Sequence, residues 1–269
     1  HWIKSPSSGY GDYRLMWRPK AIAAALEAVQ PDVIELGTFF VCPWPAFYHR
    51  KQRRRDGQRC AVAGFFHTDI AKAYVHAPLH ETLGRGFTDF DPVADAGEQL
   101  AELLGHGAEH YFGKVFGKCD LMIASSPHQI DRLKDYGIDR ARCVPMGVDI
   151  ENFHPGQRSE DCRASIRAGE QTCVMIYAGR LAEEKRVKTL VAAYEQVKKE
   201  TDARLVLIGE GPMYDQFAKK AEHDEGLTLR GYVSDKQELA RWLASADVYV
   251  TAGPHETFGL SVIEAQACG

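Results

Sequence analysis

Short, almost fully apolar runs alternate with longer amphipathic segments along most of this 269-residue chain. Several of the apolar runs lack the apolar–polar alternation expected of a sheet that faces water on one side. Such runs are typical of parallel strands that helices cover on both faces. The alternation therefore predicts an α/β fold with doubly wound parallel sheets. The candidate strands cover residues 33–36, 61–66, 120–124, 142–144, 173–178, 204–208, 227–229 and 247–251.

Two helix starts are marked by local sequence signals. Ser126 is followed by a proline and by Gln129, which predicts an N-cap with a capping box, and Gly137 is placed to end that helix. Ser234 with Gln237 repeats the capping-box signal. Both segments are therefore predicted to be helices that follow strands.

The segment 146–155 is the best candidate for a domain boundary, because a polar stretch and a fresh strand–turn–helix unit follow it. It predicts two Rossmann-like halves, residues 1–152 and 153–269. Ligands in such sheets bind beyond the carboxyl ends of the strands, so a cleft between the halves is expected. The chain begins at His1 and stops at Gly269 inside a predicted helix, and both ends are expected to be cut.

Composition excludes several classes of function. A formal net charge of −4 gives no basic field for nucleic acid. There is no apolar run of about 18 residues that could span a bilayer, and no signal-peptide pattern. The seven cysteines are scattered without a C-x-x-C pair, which argues against structural zinc or a disulfide framework. A reduced cytoplasmic setting is the expectation.

The segment from residue 252 to the end of the chain carries the strongest chemical signal. After a strand come Glu256, Phe258, Gly259 and Leu260, and then a helix that bears Glu264. Backbone N–H groups at such a helix N-terminus can bind phosphate oxygens, and glycine permits close approach. The two carboxylates could accept hydrogen bonds from polyhydroxylated groups. The alternative is that one stabilises the helix dipole and the other is solvated.

A second candidate site follows the strand at 173–178. Gly179 and Arg180 come directly after that strand, and Lys185 lies at the start of the next helix. Together the two cations could neutralise a diphosphate, with the arginine binding bidentately. The alternative is a solvated charge run, which describes Glu183 and Glu184 well.

Four motifs in this order resemble the donor-binding half of the family-four retaining glycosyltransferases of the GT-B fold. They are Gly179-Arg180-Leu181 with Lys185, Gly209-Glu210-Gly211-Pro212, Gly231-Tyr232-Val233, and Glu256-Thr257-Phe258-Gly259 with Glu264-Ala265. The resemblance implies that Glu264 binds the donor ribose and Glu256 the donor sugar. It implies further that Arg180 and Lys185 bind the diphosphate and that the loop around Val233 contacts the base. An arginine follows Lys185 where the family more often has glycine.

The N-terminal half adds His67, which ends the apolar strand at 61–66 and is expected to face the interdomain cleft. It resembles the family's histidine that contacts the donor sugar; a lone histidine at a strand end is more often structural. Residues 67–69, 7–11 and 147–155 are similar to bacterial GDP-mannose-dependent α-mannosyltransferases. Residues 1–152 would then form the acceptor-side domain, without its first strand and Gly-rich loop. Residues 153–269 would form a truncated nucleotide-sugar-binding domain.

The resemblance implies a retaining transfer of a hexose from a nucleotide diphosphate sugar to a hydroxyl of a lipid or glycan. Mannose is expected ahead of other hexoses. GDP-mannose is expected ahead of a UDP-hexose, with no cofactor and no essential metal. His106, Glu109 and His110 have helix-face spacing, but no third histidine or cysteine completes a metal set. Two alternatives remain: a non-catalytic fragment, and an NAD-dependent oxidoreductase. For the latter, Gly209-Glu210-Gly211 supplies only half of the required glycine motif.

A basic cluster on a helix that begins near Pro45 allows two interpretations. It is either an ordinary solvated surface, which is commoner, or a face that contacts anionic lipid at the inner side of a membrane. Its members are Arg50, Lys51, Arg53, Arg54, Arg55 and Arg59.

Overall fold

The structure, a computed structural model, describes residues 18–37, 43–66, 92–253 and 258–269, with backbone alone for 92–102. The chain divides into two compact units, His1–Pro145 and Met146–Gly269. The segment 146–152, on which the predicted boundary falls, groups with the second unit. Phe153 is 2% exposed within that unit's core, and Val148 packs against the same core.

The first unit is a parallel sheet whose strand order is β1-β2-β3-β4. Its core lies between the sheet and helices and includes the buried Val62, Phe66, Phe116 and Met122. In chain order its elements are α1 (Pro19–Val29), β1 (Val33–Leu36), α2 (Pro43–Arg55), β2 (Ala61–Phe66), α3 (Pro92–Phe116), β3 (Leu121–Ala124), α4 (Pro127–Asp135) and β4 (Ala141–Cys143).

The second unit is a parallel sheet with the strand order β7-β6-β5-β8. All the predicted strands are present in the two sheets, which confirms the predicted α/β fold class. The elements are α5 (Glu160–Ser165), β5 (Cys173–Ala178), α6 (Val187–Val197), β6 (Ala203–Ile208), α7 (Tyr214–Ala221), β7 (Leu227–Arg230), α8 (Lys236–Ser245), β8 (Val248–Tyr249) and α9 (Leu260–Ala267).

Successive residues of β5 and β6 alternate between two cores, one on each face of the second sheet. Tyr177 and Leu207 pack with α6 and α7, whereas Ile176 and Val206 pack with residues of α8 and with Phe153. Both faces are therefore covered, which explains why these strands are apolar throughout.

The predicted helix caps are confirmed at α4 and wrong by one residue at α8. The hydroxyl of Ser126 accepts from the N–H of Gln129 (3.3 Å), and Gly137 beyond the helix has φ 76°. At α8 the cap is Asp235, whose carboxylate accepts from the N–H of Gln237 (2.9 Å), rather than Ser234. Both residue types cap helices well, and the aspartate also places negative charge at the positive helix end.

A buried arginine joins three segments at the amino edge of the second sheet. The guanidinium of Arg163, 3% exposed, donates to the carbonyls of Ser245 (3.1 Å), Gly169 (2.8 Å) and Thr172 (2.8 Å). It also pairs with the carboxylate of Asp247 at 3.0 Å. Residues just before β5 and β8 are thereby held to α5, opposite the edge where those strands end.

Three arginines of the basic cluster on α2 are used within the first unit. Arg50 and Arg54 both pair with Asp120 (2.7 and 2.9 Å), and Arg53 pairs with Asp32 (3.0 Å). The carboxyl of Asp120 is partly buried, which raises its pKa, but its hydrogen bonds from the Val62 N–H and the two arginines hold the pKa below its usual value. These arginines stabilise the unit.

Candidate functional site

The strand order of the second sheet locates a ligand crevice before any side chain is considered. The chain runs outward from β5 through β6 to β7 and then returns to the other side of β5 as β8. Neighbouring loops at such a reversal leave in opposite directions, and ligands bind beyond the carboxyl ends of the strands there. The crevice of this unit is therefore expected between the loop after β5 and the N-terminus of α9.

The loops after β5 and β6 are interlocked through glycines. The N–H of Leu181 donates to the carbonyl of Glu210 (2.8 Å). Gly209 and Gly211 have φ of 138° and 153°, and a Cβ on them would lie 2.0 Å from the carbonyl oxygen of Gly179 and 2.4 Å from that of Leu181. Only glycine fits at either position, so these two residues set the shape of the loop after β5.

This packing accounts for the half motif that suggested a dinucleotide. Gly209 and Gly211 face the neighbouring loop, and Tyr214, where a third glycine would stand, begins helix α7. In a dinucleotide site the glycines instead admit the pyrophosphate and bring helix and strand together. The geometry does not favour the NAD-dependent alternative.

Arg180 leaves the carboxyl end of β5 on a firmly held backbone. The hydroxyl of the buried Tyr177 donates to the carbonyl oxygen of Arg180 (2.9 Å), and the N–H of Ala182 donates to it as well (3.2 Å). The Arg180 side chain is half-buried at the switch point. A guanidinium with a fixed origin beside a crevice is suited to bidentate binding of an anion.

Lys185 lies in a short 3-10 turn, Glu183–Lys185, that leads into α6. Its side chain is half-buried. The next residue, Arg186, has φ 50° and ψ 39°, a left-handed conformation that glycine adopts without strain. The arginine that departs from the family pattern therefore has a backbone conformation that would suit a glycine as well.

Helix α9 follows β8, and its first backbone N–H groups are not used within the helix. Gly259, its N-cap, has φ 77°, and its carbonyl oxygen accepts from the N–H groups of Val262 (2.9 Å) and Ile263 (3.2 Å). No acceptor among the described residues is directed at the N–H groups of Leu260 and Ser261. Such donors, together with the helix dipole, are the chemical features that can bind an anion.

Tyr249 holds the two sides of the crevice together. Its hydroxyl donates to the carbonyl oxygen of Ala178 at the end of β5 (3.2 Å) and lies 2.8 Å from the hydroxyl of Ser261 in the first turn of α9. The sequence analysis missed this residue and Tyr177. Their signal is a tyrosine within an apolar strand, whose hydroxyl needs a polar partner.

Glu264 presents a half-buried carboxyl one turn into α9. Partial burial raises the pKa of this carboxyl, and the charge of Lys236 on α8 lowers it. No described residue donates a hydrogen bond to the Glu264 side chain. Its oxygens are thus available to the hydroxyl groups of a ligand.

The loop after β7 contributes the predicted base-contacting region. Val233 is half-buried against the core on one face of the sheet, and Tyr232 beside it is 72% exposed. This loop lies at the same sheet edge as the others but two strands from β5.

The structure thus gathers Gly179, Arg180, Gly259, Leu260 and Glu264 around one switch point. Half-buried Phe258 precedes Gly259 there, Lys185 lies further along the loop after β5, and Val233 is at the far end of the same edge. His67 and Glu256 lie outside the described residues, so their positions stay predictions.

Helix α3 carries His106, Glu109 and His110, the residues whose helix-face spacing was considered for a metal site. The helix continues through Gly105 and Gly107, and Glu109 pairs with Arg132 at 2.5 Å. Within residues 18–37, 43–66, 92–253 and 258–269, no group of three or more histidine, cysteine or acidic side chains could hold a metal ion.

Comparisons with known proteins agree with this arrangement. Residues 172–269 match the family "Glycosyl transferases group 1". The chain is 35% identical over 262 residues to a GDP-mannose-dependent alpha-(1-6)-phosphatidylinositol dimannoside mannosyltransferase of Mycobacterium tuberculosis, covering 96% of this chain and 60% of that protein. It is 30% identical to a GDP-mannose-dependent alpha-mannosyltransferase of Corynebacterium glutamicum, covering 93% of this chain and 52% of that protein.

Among solved structures, the sucrose-phosphate synthase of Thermosynechococcus elongatus matches with a TM-score of 0.65 and 20% identity, covering 93% of this chain and 57% of that chain. Such a likeness confirms the GT-B fold, since solved structures that match are glycosyltransferases of that architecture. The chain spans 60% or less of the length of the two bacterial mannosyltransferases.

Proposed function

Because residues 172–269 form a domain of the glycosyl transferases group 1 family, we propose that this protein is a retaining glycosyltransferase. It transfers a hexose from a nucleotide diphosphate sugar to a hydroxyl of a lipid or glycan acceptor, and mannose is the hexose that we propose. The GDP-mannose dependence named for both bacterial relatives favours GDP-mannose over a UDP-hexose as donor.

One observation carries the proposal. Arg180 and the N-terminus of α9 lie at the carboxyl ends of the paired strands β5 and β8, and Tyr249 ties those ends together. A cation and a helix N-terminus on the two sides of a switch-point crevice form a site for a diphosphate.

The chemistry assigned to these residues is stabilisation of a leaving group. When the bond between the anomeric carbon and the diphosphate oxygen breaks, negative charge grows on the diphosphate. Arg180, Lys185 and the N–H groups after Gly259 are placed to stabilise that charge. The acceptor oxygen then bonds to the same face of the anomeric carbon, and its proton passes to the departing phosphate oxygen.

The remaining roles belong to the sugar and the nucleoside. Glu264 would accept hydrogen bonds from the ribose diol, and the loop around Val233 would contact the base. Glu256 and His67 would contact the donor sugar, which follows from the family resemblance alone. No cofactor or metal is assigned.

Saturation-transfer NMR of the full-length protein tests the donor assignment. GDP-mannose and GDP should give the strongest signals in a panel that also contains UDP-glucose, ADP-glucose and NAD. Glu264→Ala should weaken GDP binding about 10- to 100-fold, because hydrogen bonds to a charged acceptor contribute about 1.5–3 kcal/mol each. Binding of NAD with no response to any nucleotide sugar would reject the proposal.

A contact with anionic membrane is a second proposal, and the exposed face of α2 supports it. Arg50, Arg53 and Arg54 pair with carboxylates of the unit. Trp44 (45% exposed), Tyr48 (63% exposed), Lys51 and Arg55 share one helix face. Of the helices that the structure describes, none is long and apolar enough to cross a membrane. Aromatic and basic side chains on one face are typical of helices that lie at a membrane surface.

Vesicle sedimentation tests this surface. Each basic residue near an anionic membrane contributes about 1 kcal/mol, so Lys51→Glu with Arg55→Glu should reduce binding to phosphatidylserine-containing vesicles at least about ten-fold. Lys134→Glu with Arg142→Glu, which reverses two exposed charges elsewhere in the unit, is the matched control. Equal losses in the two pairs would show that net charge alone matters.

A further inference from the structure

The hydroxyl groups of Tyr249 and Ser261 form a hydrogen-bonded pair between strand β8 and helix α9. Their oxygens lie 2.8 Å apart, and the Tyr249 hydroxyl also donates to the carbonyl oxygen of Ala178 (3.2 Å). A tyrosine hydroxyl carries one proton, and a carbonyl oxygen can only accept. Because the proton of Tyr249 is directed to Ala178, the Ser261 hydroxyl is the donor in the bond between the pair.

The direction of this bond excludes one role for Ser261. Ser261 lies in the first turn of α9, where a hydroxyl proton would be within reach of a bound phosphate. Its single proton is used on Tyr249, so its oxygen offers only lone pairs to any other group. The donors to an anion at this helix end are therefore the backbone N–H groups of Leu260 and Ser261, not the serine hydroxyl.

Tyr177 supports the same strand end from the other face of the sheet. Tyr177 packs in the core beneath α6 and α7, whereas Tyr249 packs against the core on the α8 face. The Tyr177 hydroxyl, which donates to the Arg180 carbonyl, lies so close to Gly179 that a Cβ there would be 2.8 Å from it. Each tyrosine thus fixes one part of the crevice, Tyr177 the loop after β5 and Tyr249 the start of α9.

The two halves of α9 are held by different contacts. Gly259, the N-cap, makes no side-chain hydrogen bond, so among the described residues the bond from Ser261 to Tyr249 is the side-chain tie between the first turn and a strand. The last turn is held to α8, where the buried Cys268 thiol donates to the carbonyl of Ala240 (3.8 Å). Loss of the hydroxyl pair should therefore loosen the first turn and leave the rest of the helix, with Glu264, in place.

We propose that Tyr249 and Ser261 are positioning residues for the donor diphosphate, and that their hydrogen bond fixes the N–H groups at the start of α9 relative to the end of β5. The diphosphate rests on the proposed function, whereas the pair itself stands on its distances. Groups that bind a reacting anion must be held in a narrow range of geometry, and small displacements weaken them strongly.

Binding of GDP and of guanosine, which lacks phosphate, to the full-length protein separates positioning from general damage. Tyr249→Phe and Ser261→Ala should each weaken GDP binding about three- to ten-fold, the effect of losing one hydrogen bond, and leave guanosine binding unchanged. Ser261→Thr keeps the hydroxyl and should recover most of the loss. Tyr194→Phe is the matched control, because it removes a hydroxyl that donates to Asp224 (3.3 Å) before β7, and it should change neither affinity.

The double variant tests whether the two hydroxyls act through their shared bond. Tyr249→Phe with Ser261→Ala should lose no more GDP affinity than Tyr249→Phe alone, because the first substitution already removes the bond. Losses that multiply would show that the serine hydroxyl acts on the phosphate independently, and would overturn the inference. Equal losses of GDP and guanosine binding, or unaltered GDP binding in both single variants, would overturn it as well. A wild-type protein that binds no GDP would instead reject the proposed function itself.

Discussion

Replacing Arg180 by alanine in the full-length protein should lower kcat/KM for hexose transfer about 10²- to 10³-fold, the usual effect of removing one group that stabilises developing negative charge. The loss follows from the position of this side chain. Its backbone carbonyl accepts from the Tyr177 hydroxyl and the Ala182 N–H, so the backbone from which its side chain extends is fixed at the switch point. Steady-state rates with GDP-mannose measure the effect. Arg180→Lys should recover only part of the loss, because lysine cannot bind bidentately.

Two further variants separate chemistry from stability. Arg167→Ala removes an exposed arginine of the same unit, paired with Glu225 at 2.9 Å, and should change kcat/KM less than about two-fold. Glu264→Gln should bind GDP poorly yet unfold no more easily than the wild type at pH 8. Burial raises the pKa of Glu264 in the folded state, so its stabilising contribution is present at low pH and is lost as the carboxyl ionises. Near wild-type transfer by Arg180→Ala would reject the proposed role.

Local features of the fold could be predicted because neighbouring residues determine them. The strands of the second sheet are apolar on both faces, and two cores cover them. The cap at Ser126 needs only the next helical turn. Between Ser234 and Asp235 the sequence offers two good caps one residue apart, and local signals alone do not choose between them.

Long-range contacts were beyond prediction. Arg163 stands in a polar stretch where an arginine is normally solvated, and its burial depends on Asp247, far along the chain. The hydroxyl of Tyr249 likewise joins strand ends that only the sheet order brings together. The glycine motif at 209–211 lies between these cases. Its two glycines could be recognised from the sequence, but the loop after β5 determines which surface they face.

Gly209→Ala is expected to lower the free energy of unfolding by about 2–5 kcal/mol and to abolish nucleotide binding. A Cβ at this position would lie 2.0 Å from the carbonyl oxygen of Gly179, and the φ of 138° is strained for alanine. Neither the Gly179 carbonyl nor the strand before it can move freely, since the Gly179 N–H donates to Ile208 (2.9 Å). Any relief of the clash must therefore displace the loop that carries Arg180.

Denaturant titration and GDP binding, measured on the same samples, check this expectation. Gly169→Ala is the matched control, because its Cβ would make only an ordinary 3.8 Å contact with Thr172 Oγ1. That variant should be within about 0.5 kcal/mol of the wild type and bind GDP normally. If Gly209→Ala matched it in both measurements, the interlocked loops would not be what positions Arg180. If Gly209→Ala stayed folded in mild conditions but lost GDP, the binding site would depend on the shape of this loop, as its contacts require.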